Sequence, residues 1–135
     1  MCAVDESEPW KVYRVETRKA RKRHRCAECR RWINSGEKYE YVTGVTADHP
    51  HWQQYRTCQH CLAAGTWLRI VCGGYPLTLL RDELAEHDVE FHESGILWQL
   101  VIWIDGGWGD GWAPVPSVEV LEADARAFIT ELASR

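Results

Sequence analysis

The chain has 135 residues, of which 45% are hydrophobic and 27% charged, and it carries a net charge of −4 at pH 7. This composition excludes a disordered chain and predicts one soluble domain, or one domain with a small subdomain. No apolar run reaches the roughly 20 residues of a membrane span, and the start of the chain lacks the pattern of a signal peptide. We therefore expect a cytoplasmic protein without a membrane partner. In the reducing cytoplasm, cysteines bind metal more often than they form disulfides.

Charge is strongly segregated along the chain. Residues 11–31 hold ten Lys and Arg against two Glu, a net +8, whereas residues 32–135 carry a net −9. This asymmetry predicts a basic arm on an acidic body. In an extended strand, Arg21, Arg23 and Arg25 would share one face. The candidate nucleic-acid contacts are Arg18, Lys19, Arg21, Lys22, Arg23, Arg25, Arg30 and Arg31. A solvated strand face that balances the acidic body explains the same residues, so both interpretations stay open.

Two Cys-x2-Cys pairs form the clearest motif in the chain. Cys26 and Cys29 make the first pair, and Cys58 and Cys61 make the second after 28 intervening residues. Each pair can chelate an ion through a tight turn, and four thiolates fill the tetrahedron of a structural Zn²⁺. We therefore expect one structural zinc bound by these four cysteines. Nearby histidines could replace a thiolate, but four cysteines already complete the coordination.

The segments around the cysteines predict a hairpin and a helix. "KYEYVTGV" alternates Tyr39, Tyr41 and Thr43 on one face, as a strand does, and "HWQQYRT" supplies a returning strand. "CLAAGTWLRIVCGGY" predicts a helix that ends at Gly73–Gly74. The order of these elements is that of a treble-clef-like zinc fold. It has a knuckle, then a hairpin, and then a helix that carries the second cysteine pair in its first turn.

The segment "ADHP" offers one catalytic alternative. It is similar to part of the zinc-bearing His-Asn-His nucleases, in which His49 would activate water for phosphodiester cleavage. Only eight residues separate His49 from Cys58, no histidine follows in the "LAAG" after Cys61, and no asparagine lies between His49 and the second pair. These departures favour a polar hairpin tip, and we expect no enzymatic activity.

The second half of the chain predicts a helix, a strand and a helix. "YPLTLLRDELAEHD" places Leu77, Leu80 and Leu84 on one helical face. "ILWQLVIWI" is apolar at nearly every position and predicts a central strand, and "DGGWGDGW" then predicts a turn or a loop. The last segment predicts an amphipathic helix whose apolar stripe is Leu121, Ala125, Phe128 and Leu132.

Together these segments predict an α+β fold in one compact unit. Residues 1–75 would hold the basic arm and the four-cysteine zinc subdomain, and residues 76–135 the helix–strand–helix body. Trp108 and Trp112 lie in the Gly-rich segment and are candidate protein contacts. Folding of that segment back over the core is the alternative.

Several motifs carry a family resemblance. They are "TRKARKRHRCAECRRWINSGEKY", "TCQHC", "VCGGY" and "LAEH", and the most distinctive parts are Ile33-x2-Gly36-x2-Tyr39 and Cys72-Gly73-Gly74-Tyr75. Across residues 17–92 the chain resembles small, treble-clef-like zinc proteins with four cysteine ligands that actinobacterial phages encode. The resemblance implies zinc and a mobile-element origin, and it supplies no biochemical activity. The tail departs, because the family carries a basic strand where this chain has "IWIDGGWGDGW".

These observations lead to three functional hypotheses. We expect a non-catalytic, zinc-stabilised interaction protein that binds a host protein or nucleoprotein complex, in the host cytoplasm if it is phage-encoded. A nucleic-acid-binding module that uses the basic arm 11–31 is the alternative. An atypical His-Asn-His-like nuclease is the second alternative. The oligomeric state is not specified by the sequence.

Overall fold

The structure, a computed structural model, describes residues 10–46, 51–91 and 95–134. The strands are β1 (Trp10–Lys19), β2 (His24–Arg25), β3 (Trp32–Ile33), β4 (Lys38–Thr46) and β5 (Gln53–Cys58). The helical elements are α1 (Gln59–Ala64), α2 (Thr66–Cys72), α3 (Leu80–Phe91), α4 (Ile96–Asp105), α5 (Gly107–Gly111) and α6 (Val118–Ala133). The α+β class predicted from the sequence is confirmed. Within the described residues, no helix combines the length and apolar content needed to cross a bilayer.

The larger sheet is antiparallel and has the strand order β1-β4-β5. The register aligns Val15 with Val42 and Val42 with Tyr55, while Arg18 and Cys58 both lie opposite Tyr39. Residues paired across antiparallel strands project to the same face, so the sheet has two chemically distinct faces. The predicted hairpin is confirmed as β4 and β5.

The smaller sheet, formed by β2 and β3, is the knuckle that carries the first cysteine pair. Its register pairs His24 with Ile33 and Arg25 with Trp32. Residues 20–23 lie between β1 and β2 and belong to neither strand. The predicted strand alternation of Arg21, Arg23 and Arg25 is therefore wrong, because the chain must turn there to enter the knuckle.

The helix predicted after the hairpin is present as two short helices, α1 and α2. Gly65 lies between them, and a Cβ at this position would lie 2.6 Å from Cε1 of Tyr75. The glycine therefore makes room for the Tyr75 ring. Helix α2 ends at Gly73, whose φ of 76° is left-handed, so the predicted C-cap is confirmed.

The strand predicted for "ILWQLVIWI" is wrong, because this segment forms helix α4. Its buried residues recur at helical spacing and are Leu97, Leu100, Val101 and Ile104. Trp98, Ile102 and Trp103 occupy the other side and are exposed. Apolar residues on both sides of the helix hide its periodicity in the sequence.

Element α5 is a single left-handed turn. All five of its residues have positive φ, including Trp108 at 55° and Asp110 at 59°. A left-handed conformation costs roughly 1–2 kcal/mol for a residue with a Cβ, and the three glycines limit that cost to two positions. The turn directs Trp108 into the interior, where it is 2% exposed.

The core lies where α2 packs on α6 and α3 packs on α4. Trp67 is fully buried between Phe128 and His87, and its indole N–H donates to Oδ2 of Asp124 at 2.9 Å. The buried residues of α6 are Leu121, Ala125 and Phe128, as predicted. Leu132, the fourth predicted member of that stripe, is 48% exposed, because the seven-residue α2 does not cover all sixteen residues of α6.

Candidate metal centre

The four cysteines of the two Cys-x2-Cys pairs converge in the structure. Their Sγ atoms all lie within 4.8 Å of one another, and all four side chains are buried. The Sγ atoms of Cys29 and Cys58 are 3.8 Å apart, which matches the separation of about 3.8 Å between two ligands of tetrahedral zinc with Zn–S bonds of about 2.3 Å. A disulfide would require about 2 Å, and the four thiols are free. The cluster is therefore compatible with a metal site.

Two local structures position these sulfurs. In the knuckle, Cys26 N donates to Arg31 O at 2.9 Å and Arg30 N donates to Cys26 O at 3.0 Å, which closes a tight turn. Cys58 is the last residue of β5 and also the N-cap of α1, where its Sγ accepts from the N–H of Cys61 at 3.5 Å. The positive end of a helix favours a thiolate, so this placement suits a metal ligand.

The four thiols titrate as one group. Hydrogen bonds from Cys26, Cys29 and Cys61 lower the pKa of Cys58. Hydrogen bonds within the same cluster raise the pKa of Cys61 and of Cys29. Because thiols must lose their protons to become metal ligands, metal binding to all four sulfurs would release protons.

Turn α5 covers the cluster. The indole N–H of Trp108 donates to Sγ of Cys61 at 3.3 Å, and the Trp108 ring lies 5.4 Å from that of His60. His60 is buried, and its Nε2–H donates to the carbonyl oxygen of Ala113 at 2.6 Å. Trp108 was predicted as a protein contact, but the structure buries it against Cys61 of the cysteine cluster instead. Trp112 is 92% exposed and stays accessible.

Arg31 was predicted as a nucleic-acid contact, and the structure places it in the interior. Its side chain has no exposed surface, and its Nη2 donates to Oε2 of Glu37 at 2.7 Å. Its Nη1 donates to the carbonyl oxygen of Trp32 at 2.8 Å. Burial would lower the pKa of Arg31, but hydrogen bonds to Glu37 and Cys58 raise it above its usual value. Arg31 therefore supplies positive charge beside the thiolates and cannot reach a phosphate.

Glu28, between the first two cysteines, makes a structural contact that the sequence did not reveal. Its carboxylate accepts the backbone N–H of Thr78 at 2.8 Å and that of Leu80 at 3.0 Å. Burial raises the pKa of Glu28, and these two bonds partly offset the effect. The contact fastens the knuckle to the start of α3. Its partners lie 50 and 52 residues away, so no local sequence signal could have indicated it.

Most of the remaining predicted nucleic-acid contacts line a concavity of about 1130 Å³, which we call the basic groove. Its lining residues are Arg18, Lys19, Ala20, Arg21, Lys22, His24, Ser35, Gly36, Tyr39 and Arg56. Arg56 is a cation that the charge pattern missed, because it lies alone in β5. No carboxylate from the described part of the chain lines the groove. Burial together with the charges of Arg56 and Lys22 lowers the pKa of His24.

The other three predicted contacts lie elsewhere on the knuckle. The guanidinium groups of Arg23 and Arg25 lie 3.9 and 3.8 Å from the centroid of the Trp32 ring. Arg25 also donates to the carbonyl oxygen of Arg30 at 2.8 Å. Arg30 has a φ of 68° and an exposed side chain. These cations flank the basic groove and do not line it.

His49, the residue of the nuclease alternative, lies outside the described residues. Comparison with known proteins adds no assignment, since no family model, no curated protein and no solved structure matches the chain. Functional inference therefore depends on the geometry of the cysteine cluster and of the surfaces around it.

Proposed function

We propose that this protein is a non-catalytic interaction module, stabilised by one Zn²⁺ in a treble-clef-like knuckle, that binds the phosphate backbone of nucleic acid through the basic groove. The observation that carries the proposal is a concave surface whose described lining has five Lys and Arg side chains and no carboxylate. Such a surface concentrates positive potential where a polyanion can enter.

The ligand set supports zinc. Four sulfur ligands at tetrahedral spacing suit Zn²⁺, which is borderline-soft and has no redox chemistry that would disturb a structural site. The knuckle, the hairpin and the capping of α1 by Cys58 follow the order of a treble clef. A structural metal would fix the orientation of the knuckle and, with it, one wall of the groove.

The groove itself favours sequence-independent contact. Arg18 and Arg56 lie 4.0 and 4.9 Å from the centroid of the Tyr41 ring, so the aromatic surface orders their guanidinium groups. Arg18 also forms an ion pair with Glu16 at 2.9 Å, and both side chains are largely exposed. Exposed pairs of this kind are weak, so a phosphate can compete for Arg18. Phosphate contacts position a protein on nucleic acid without specifying sequence.

A salt titration of binding to labelled single- and double-stranded DNA and RNA tests this proposal. Neutralised phosphates release counterions, so the logarithm of affinity should fall linearly with the logarithm of salt concentration. The expected slope is about −0.9 per contact for a duplex and about −0.7 for a single strand. Absence of binding to all four nucleic acids at low salt would exclude this function.

A protein partner is the second candidate, and one observation favours it. Trp112 is 92% exposed, and Trp98, Ile102 and Trp103 expose apolar surface on α4. Aromatic side chains of this kind are enriched among residues that dominate interfaces. In this version of the proposal the protein is encoded by a mobile element and binds a host protein or nucleoprotein complex in the host cytoplasm. A pull-down that survives nuclease treatment, but is lost in Trp112→Ala, would support it.

A further inference from the structure

The face of the larger sheet opposite Arg18 and Arg56 contributes to a second concavity, of about 770 Å³, which we call the aromatic pocket. Its lining includes four aromatic rings and one carboxylate, from Trp10, Tyr13, Tyr55, Tyr75 and Glu40. Its volume falls in the range of small-molecule sites, which are commonly apolar with a few polar groups. Nothing in the proposed function uses this pocket.

Strand register and one glycine build the aromatic wall. Tyr13 pairs with Gly44, and a Cβ at Gly44 would lie 2.8 Å from the ring of Trp10. Glycine in a strand interior often marks such a close approach. It lets the Trp10 ring lie over the sheet, 5.3 Å from the Tyr13 centroid and 6.4 Å from that of Tyr55. Tyr75, from the segment after α2, contributes to the lining from outside the sheet.

Among the described residues of this lining, Glu40 is the only carboxylate. It projects from the central strand β4 between Thr17 and Thr57, and its side chain is half-buried. Within the described part of the chain, no hydrogen bond or ion pair engages its carboxylate. Burial raises the pKa of Glu40 and the charge of Arg69 lowers it. A partly buried carboxylate without a close partner gains from an added cation.

Arg69, a cation of the pocket lining, does not fill that role. Its Nη2 donates to the carbonyl oxygen of Leu62 at 2.6 Å and to Oγ1 of Thr66 at 3.2 Å. These bonds hold the guanidinium against the helices, and it forms no ion pair with Glu40. The carboxylate therefore stays available to a ligand.

We infer that the aromatic pocket binds an alkylated ammonium cation, with Glu40 as the counter-charge and the four aromatic rings as the lining. Aromatic faces attract cations through their quadrupole, and recognition of quaternary ammonium groups by aromatic cages follows from this property. Alkyl groups on the nitrogen suit the aromatic rings of the lining, whereas a bare ammonium is strongly hydrated. Two sources share this chemistry, namely a small choline-like molecule and a methylated lysine side chain.

An NMR titration with choline and its neutral isostere, 3,3-dimethylbutan-1-ol, tests the charge requirement. The two molecules have nearly the same shape, so a preference for choline measures the contribution of the positive charge. We expect choline to bind at least about tenfold more tightly and to shift the indole N–H signal of Trp10. A short peptide with trimethyl-lysine, compared with the same peptide carrying unmodified lysine, distinguishes the two sources. Equal binding of choline and its isostere, or no shift at Trp10, would overturn the inference.

Substitutions test whether Glu40 is the counter-charge for choline. Glu40→Gln should lower choline affinity about tenfold, while isostere binding stays the same. Glu122→Gln makes the same charge change on α6 and should leave both affinities unchanged. Signals from α6 report whether each variant is folded. Undiminished choline binding in folded Glu40→Gln would contradict the assignment. Because the pocket and the basic groove have separate linings, salt titration with nucleic acid tests the groove independently.

Discussion

The indole N–H of Trp108 donates a hydrogen bond to Sγ of Cys61 at 3.3 Å, although 47 residues separate the two in the chain. Bonds of this kind orient a metal ligand, and their loss typically weakens metal affinity about 10–100-fold. Trp108→Phe keeps an aromatic ring and removes the donor, so we expect faster metal release to a competing chelator. Trp103→Phe, whose ring stacks on that of Trp108 and is more exposed, is the matched control. Equal release rates in both variants would show that the bond does not affect the metal.

The cysteine cluster predicts one zinc per chain. Cys58→Ala should abolish binding and unfold the knuckle and hairpin, because structural zinc contributes on the order of 10 kcal/mol. Elemental analysis and circular dichroism measure the two effects. Thr57→Val changes the adjacent buried residue and keeps all four thiols, so this control should retain the metal. A fully folded chain that contains no metal would refute the prediction.

Two glycines with similar backbone angles should differ in their tolerance of a side chain. Gly36 has a φ of 91°, and a Cβ there would have no neighbour within 4 Å. Gly111 has a φ of 87°, but its Cβ would lie 2.5 Å from Nη1 of the buried Arg31. We expect Gly36→Ala to lower the free energy of unfolding by about 1–2 kcal/mol through backbone strain alone. Gly111→Ala should lower it clearly more. Urea unfolding measures both, and equal costs would mean that Arg31 moves freely.

The ion pair between Arg31 and Glu37 predicts a pH dependence. The hydrogen bond from Arg31 lowers the pKa of Glu37 below its ordinary value. A carboxylate whose pKa is lowered by folding stabilises the fold at pH values above its unfolded-state pKa of about 4.3. This contribution is lost as the pH falls through the lower, folded-state pKa. Glu37→Gln should therefore cost about 1.5–3 kcal/mol near neutral pH. The difference between wild type and variant should shrink below about pH 4. A difference that is constant with pH would exclude the ion pair as its cause.

The basic groove makes a paired prediction about charge. Replacement of Lys19, Arg21 and Lys22 by Gln should flatten the salt dependence of duplex binding by about 0.9 per lost contact. Replacement of Lys11, Arg14 and Arg126 by Gln removes the same charge from residues outside the groove lining. This control should leave the slope almost unchanged. If both triple variants weaken binding equally, overall charge is responsible and the groove is not a site.

Local patterns predicted the parts of the fold that depend on local chemistry. The cysteine spacing indicated which thiols would meet, and the alternation of Tyr39 and Tyr41 indicated a strand on which both rings are buried. Gly73 indicated a helix end, because a left-handed residue is needed there. Each of these features is decided by residues within a few positions of one another.

The predictions that failed required information from distant residues. The sequence of helix α4 predicted a strand, because its exposed side, with Trp98 and Ile102, is as apolar as its buried side. Arg31 belongs to a cationic run, yet its ion pair with Glu37 and the covering turn α5 make it an interior residue. Trp108 reads as a loop residue until Cys61 supplies its partner. The pattern of charge and hydrophobicity along the chain does not predict these contacts between distant residues.

The bonds from Thr78 and Leu80 to Glu28 also constrain the order in which the chain folds. Glu28 lies inside the first metal-binding turn, and its partners at the start of α3 are 50 and 52 residues away. Closing so long a loop is entropically costly and slow when neither end is fixed. We predict that binding of a metal to the cysteine cluster would immobilise Glu28 early, so that α3 docks on a positioned carboxylate. When the metal-free chain refolds, the slowest step should therefore be the docking of α3, a helix that contributes no metal ligand.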